Sequence, residues 1–168
     1  YLEDFGFTTL NELDDCYQPM ALGGVGGVTN LELCAAYATI ANNGYYNEPK
    51  LYTRVLDSDG NVILDHSVPE NKPVLKETTA FLLTDAMVDT VTIGTGTSVN
   101  FGGMAIAGKT GTTSDNKDVW FAGFTPYYTC TTWAGYDNNI KMSDKKAYKE
   151  TNIAKNLWHT IMEGVHAD

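Results

Sequence analysis

The feature that most constrains this chain is a run of three strand-like segments between residues 104 and 135. Residues 104–113 read MAIAGKTGTT, residues 119–124 VWFAGF and residues 127–135 YYTCTTWAG. Short segments rich in Val, Thr and aromatic residues, bounded by turn formers, are strands rather than helices. Thr125-Pro126 is too short a link for anything but a tight turn, so the last two segments are expected to be antiparallel neighbours. Such a sheet must bury its faces against something, and the flanking sequence supplies helices.

Thr29-Asn30-Leu31-Glu32 is a capping box: the Thr29 hydroxyl can accept from the third helical N–H, and Glu32 can reach back. Leu33, Tyr37, Ile40 and Ala41 follow at helical spacing, and Asn43-Gly44 is a stop signal, which predicts a helix over 30–42. Residues 77–91 predict a second helix with Ala80, Leu83, Met87 and Val91 on one stripe, before the glycines at 94, 96, 102 and 103. At the C-terminus Ile153, Leu157, Ile161 and Val165 step along one expected face, with Trp158 and Met162 beside it. Between the first two helices, Val55-Leu56 and Val62-Ile63-Leu64 flank Asp57 to Asn61, a hairpin signal over 51–64. Pro69 and Pro73 mark a connector, and the polar residues 138–148 a surface loop. The expected fold class is α/β of the α+β type, an antiparallel sheet flanked by helices in a single domain over 1–168.

The 168 residues suffice for one ordinary core, and with 43% hydrophobic and 19% charged residues the chain is globular. The net charge of −10 disfavours nucleic acid as a partner. No apolar run approaches the roughly 18 residues of a membrane span, and no signal peptide is present. A chain that starts Tyr1-Leu2-Glu3 in mid-pattern reads as a piece of something longer. Cys16, Cys34 and Cys130, an odd count without a Cys-x-x-Cys pair, are expected as small buried hydrophobes.

Two chemistries compete for residues 103–113. Gly103, Gly108, Lys109 and Thr110 match a phosphate loop, but that loop needs a buried strand ending at the first Gly and a helix opening at Lys-Thr. Here Met104 to Ala107 look like the strand itself, and loop-like residues follow Thr110. The alternative places Lys109-Thr110-Gly111 on a strand at the edge of a cleft. Lys109 then supplies a fixed positive charge, Thr110 and Thr112 supply hydroxyls for a carboxylate, and Gly111 lets a ligand lie along the backbone. A backbone N–H at the strand end can serve in an oxyanion hole.

The rest of the chain favours the second reading. Gly27 to Leu33, Ala36 to Gly44, Thr95-Gly96, Ala107 to Thr113, Asp118 to Pro126 and Trp133 to Asp137, preceded by Ala21-Leu22-Gly23-Gly24, together resemble the transpeptidase domain of class A penicillin-binding proteins in order and spacing. The resemblance runs from near the first residues to the last helix. It implies a partial penicillin-binding transpeptidase or serine β-lactamase-like fold, with Lys-Thr-Gly on an inner strand lining the cleft. It also implies a membrane-anchored parent on the extracytoplasmic face of the bacterial membrane, acting on peptidoglycan stem peptides and acylated by β-lactams. No cofactor or metal is implied. Substrate binding falls to Lys109, Thr110, Gly111 and Thr112, with the Thr112 N–H as half of the oxyanion hole; Thr113 and Trp120 support the strand.

That family also carries Ser-x-x-Lys at a helix start and Ser-x-Asn on a loop. The strings at Ser114–Lys117, Ser143–Lys146 and Ser98–Asn100 stand in the wrong order or context and read as surface coincidences. The catalytic serine is therefore expected upstream of Tyr1, and the piece alone is expected to be inactive and to self-associate over its uncovered surface. A non-catalytic peptide-binding or structural module is the alternative, and a nucleotide binder a weaker one. His66, His159 and His166 are expected at the surface or at helix ends, Asp14-Asp15 as solvated, and Trp120, Phe121 and Trp133 in sheet–helix packing.

Overall fold

The computed structural model describes residues 1–10, 20, 23, 27–145 and 148–167. Cys16, Asp14-Asp15, Lys146 and all but Gly23 of the Ala21 to Gly24 word lie outside the described residues. In chain order the elements are α1 (Asn30–Ala41), β1 (Tyr45–Tyr46), β2 (Arg54–Leu56), β3 (Val62–Asp65), β4 (Lys72–Pro73), α2 (Glu77–Thr92), a 3-10 turn (Thr97–Val99), β5 (Ala107–Thr112), β6 (Asp118–Phe124), β7 (Thr129–Gly135), β8 (Asp144–Lys145), β9 (Tyr148–Lys149), a second 3-10 turn (Glu150–Asn152) and α3 (Ile153–Val165).

The capping box forms as the sequence requires, with Thr29 accepting from the Glu32 N–H and Glu32 reaching back to Thr29. Glu32 also accepts from the Thr8 N–H and hydroxyl at 2.8 and 2.7 Å and from the Thr9 hydroxyl at 3.2 Å, tying the N-terminal segment to α1. These donors, the Thr29 N–H foremost, hold its carboxyl down to about 2. Past Asn42 the chain turns through Gly44 at φ 89°, a left-handed conformation that suits glycine, and the Gly44 carbonyl accepts from Val74 and Leu75.

The central sheet has the order β5-β6-β7, antiparallel throughout. The first strand is shorter than expected: residues 104–106 lead in, and pairing starts at Ala107↔Phe124. The Thr125–Tyr128 turn joins β6 to β7, with the Thr125 N–H donating to the Tyr128 carbonyl at 2.9 Å. Alternation assigns the two faces. On one, Val119 and Phe121 meet α3, where the Phe121 and Trp158 rings stand edge to face 5.0 Å apart and both residues are fully buried. On the other, Ala107 and Phe124 pack with Ile40 of α1 and Met87 of α2. Helix α2 runs beside β5 and reaches both cores, through Met87 and Val91.

Three packing expectations change. The buried face of α3 is Ala154, Trp158 and Met162, while Ile153, Leu157, Ile161 and Val165 are 36–47% exposed. The core takes the one large aromatic of the helix because the ring fits under Phe121 and its indole N–H reaches the Cys130 carbonyl at 2.9 Å. On α2, Leu83 stays 40% exposed, and Thr84 and Val88 take the partly buried positions between Ala80 and Met87. Residues 138–148 are not all loop, since β8 and the first residue of its partner β9 fall within them.

The β2–β3 hairpin forms around Asp57, whose carboxylate accepts from the Asp59 and Asn61 N–H groups, but Leu56, Val62, Ile63 and Leu64 stay exposed. Cys34 and Cys130 are half-buried rather than fully buried, and burial pushes the Cys130 thiol up to about 11. The histidines are partnered. His166 caps α3, its Nδ1 2.7 Å from the Met162 carbonyl and its Nε2 3.0 Å from the Thr125 hydroxyl, which fastens the helix end to the β6–β7 turn. No helix among the described residues is long and apolar enough to cross a membrane.

Candidate functional site

Among the described residues strand β5 pairs on one side only, with β6, so Lys-Thr-Gly lies on an edge strand of this sheet rather than on the inner strand expected. The hydrogen-bond phase says which groups face that edge. The Thr113 N–H donates to the Asp118 carbonyl at 3.1 Å. In an antiparallel ladder alternate residues bond to the partner. Gly111, Lys109 and Ala107 therefore bond to β6, while Thr112, Thr110 and Gly108 turn their N–H and C=O outward. Side chains follow the other alternation: Lys109 and Gly111 lie on the α1 face, Thr110 and Thr112 on the α3 face.

The motif is thus split between two faces and reunited at the edge. The Lys109 side chain folds back so that Nζ donates to the outward Thr110 carbonyl at 2.8 Å, and Lys109 enters no ion pair among the described residues. Its charge remains available to a ligand. The exposed Thr112 presents an N–H to the same edge. The Thr110 hydroxyl lies 2.8 Å from the Thr95 hydroxyl, a residue from the loop after α2. An ammonium, threonine hydroxyls and an outward amide on one open edge suit a bound carboxylate and an adjacent carbonyl oxygen that gains negative charge.

The supporting residues act in distinct ways. Thr113 Oγ1 accepts from the Lys117 and Asp118 N–H groups at 2.9 and 3.0 Å, closing the β5–β6 turn. Trp120 lies across from Gly111, and a Cβ on Gly111 would stand 3.2 Å from Trp120 Cβ. Trp120 and Trp133 pack on each other, ring centroids 6.2 Å apart, and the Trp133 indole N–H donates to Asp118 at 3.1 Å; Phe121 alone of the three aromatics is in the helix-covered core.

The phosphate-loop reading fails on geometry. Lys109 and Thr110 sit inside a paired strand, Gly103 lies in the lead-in loop, and no helix begins at Thr110. The formal Ser-x-x-Lys and Ser-x-Asn strings stay apart from the edge chemistry. Ser114 and Lys117 belong to the β5–β6 turn, Ser98 is exposed on a 3-10 turn, and Asn100 accepts from the Gly102 N–H at 2.9 Å. Among the described residues no group of three or more His, Cys, Asp or Glu could hold a metal. Thr95 escapes a reading of the strand motif alone, because no spacing rule links it to Thr110; a hydroxyl between two glycines, Gly94 and Gly96, was the available sign.

The family model described as the penicillin binding protein transpeptidase domain matches residues 3–163. The chain is 37% identical over 164 residues to penicillin-binding protein 1A of Clostridium acetobutylicum, covering 97% of this chain and 20% of that protein. It is 44% identical over 142 residues to penicillin-binding protein 1A of Clostridium perfringens, covering 84% of this chain and 20% of that protein. The chain thus spans about a fifth of the length of these relatives. In fold it is similar to the PonA1 protein of Mycobacterium tuberculosis, solved in complex with penicillin V, at a TM-score of 0.82 and 24% identity, covering 99% of this chain and 48% of that one.

Proposed function

Because the chain belongs to the penicillin-binding protein transpeptidase domain family, we propose that it is the Lys-Thr-Gly side of a D,D-transpeptidase site that cross-links peptidoglycan through an acyl-serine intermediate. The observation that carries this reading is the convergence at the open edge of β5 of the Lys109 ammonium, the Thr110 hydroxyl and the outward Thr112 N–H. Lys109 attracts the terminal carboxylate of a donor stem peptide or a β-lactam. Two opposite unit charges about 4 Å apart near a protein surface attract by roughly 4 kcal/mol before salt screening. The hydroxyls of Thr110 and Thr112 orient that carboxylate. The ligand lies along the edge as an added strand, which Gly111 permits, and the Thr112 N–H donates to the oxygen that becomes anionic when the serine attacks.

The serine and its activating lysine come from outside these residues, in a membrane-anchored parent working on the extracytoplasmic face. The test has two arms. In the whole protein, fluorescent penicillin is expected to form a serine adduct, and Lys109→Ala to slow its formation by about a hundredfold. In the 168-residue chain alone, intact mass is expected to show no adduct. A stoichiometric serine adduct there would overturn the placement of the nucleophile, and wild-type acylation of the Lys109 variant would overturn the site.

A further inference from the structure

The hydroxyl pair between Thr95 and Thr110 has a directional consequence. Each hydroxyl holds one proton and two lone pairs, so only one of the two can donate across their 2.8 Å contact. If Thr110 donates to Thr95, its proton is spent inside the protein. If Thr95 donates to Thr110, the Thr110 proton is free for an anion at the edge of β5, and the two bonds polarise each other in one chain.

The loop that carries Thr95 is built to hold it in place. The Gly96 N–H donates to the Thr90 carbonyl at 2.9 Å, anchoring the loop to the end of α2. A Cβ on Gly94 would stand 2.8 Å from Thr90 Cα, and one on Gly96 3.1 Å from the Thr90 carbonyl oxygen and 3.3 Å from the Phe121 ring. A side chain at Gly94 would run into the Thr90 backbone, and one at Gly96 would press on its neighbours, so the chain passes close to the end of α2 on both sides of Thr95. From α3, the Lys155 ammonium reaches the Thr95 carbonyl at 3.5 Å. Thr95 itself is exposed, next to the half-buried Thr110.

We propose that Thr95 is a positioning residue of this site: its hydroxyl donates to Thr110 Oγ1 and so turns the Thr110 proton toward the carboxylate of the bound peptide or β-lactam. The inference rests on the transpeptidase reading above.

The test is a double-mutant cycle on the whole transpeptidase that carries this chain, measuring the second-order rate of acylation by fluorescent penicillin. Thr95→Val, which keeps the shape and loses the hydroxyl, is expected to slow acylation about tenfold, the usual scale for a hydrogen bond that serves a charged group. Thr95→Ser is expected to restore the rate. In a Thr110→Val background, Thr95→Val is expected to cost nothing further, which a loop that matters only for folding would not produce. Melting temperatures of all variants control for stability. Wild-type rates for Thr95→Val, or the same tenfold loss with and without Thr110, would overturn the role. Absence of any adduct on the unmutated protein would instead overturn the functional reading, and this role with it.

Discussion

Gly108→Ala puts a single methyl group where the sheet has no room for it, and the sign of its effect tests the packing. The added Cβ would stand 2.6 Å from Phe121 Cζ, 2.9 Å from the Ala122 carbonyl oxygen and 3.0 Å from Phe121 Cε1. The ring cannot retreat easily. Trp158 lies edge-on 5.0 Å away, and Gly123 and Gly96 close in from other sides, at 2.9 and 3.3 Å from ring atoms if they carried a Cβ. Gly108 does not adopt the left-handed backbone that alanine would resist. Without the clash, Gly→Ala would stabilise the protein by about 0.4–1 kcal/mol through the unfolded chain. Overpacking a filled core costs about 1–3 kcal/mol. The net expectation is a loss of about 1–2 kcal/mol, or roughly 2–8 °C in melting temperature for a chain of this size. Thermal unfolding followed by circular dichroism at fixed protein concentration reads the shift. Phe121→Leu, which removes the crowding ring atoms, should shrink the penalty of Gly108→Ala. A Gly108→Ala protein that melts at or above the wild-type temperature would refute the argument, as would strict additivity with Phe121→Leu.

Two further outcomes follow from the same structure. The carboxyl of Glu32 is held down to about 2, so its contribution is full above the ordinary carboxylate pKa near 4.5 and fades as pH falls from there through about 2. Glu32→Gln is therefore expected to lower the melting temperature at pH 6 and to lose that deficit toward pH 2, in a melt series against pH; an equal deficit at both ends would sink the account. The exposed stripe of Ile153, Leu157, Ile161 and Val165 on α3 is expected to make the 168-residue chain self-associate, with Leu157→Glu shifting it to monomer in light scattering; a monomeric wild-type chain at high concentration would count against this.

The helices, the central strands and the Lys-Thr-Gly motif could be read from local pattern, whereas the two-residue strands at 45–46, 72–73, 144–145 and 148–149 could not. The α1 cap, the Gly44 stop and the three strands of the sheet were legible because each rests on patterns among near neighbours in the chain, and Lys109-Thr110-Gly111 was legible as a motif on one of those strands. The sequence also could not decide which of two apolar faces the core would take. On α3 the periodic Ile, Leu, Ile, Val stripe outranks Ala154, Trp158 and Met162 by hydropathy, yet the smaller set is buried, because shape fit to Phe121 and one indole hydrogen bond are properties of the assembled sheet. The same holds at the other end of the fold. The outward carbonyls of Thr129 and Thr131 on β7 are met by Cys34 Sγ and Asn30 Nδ2 of α1, at 3.8 and 3.2 Å, contacts that no local pattern in the sequence announces. The Thr95–Thr110 pair, 15 residues apart in sequence, belongs with these. Periodicity and capping are local, whereas close packing and hydroxyl pairing depend on distances that exist only once the sheet and its helices have met.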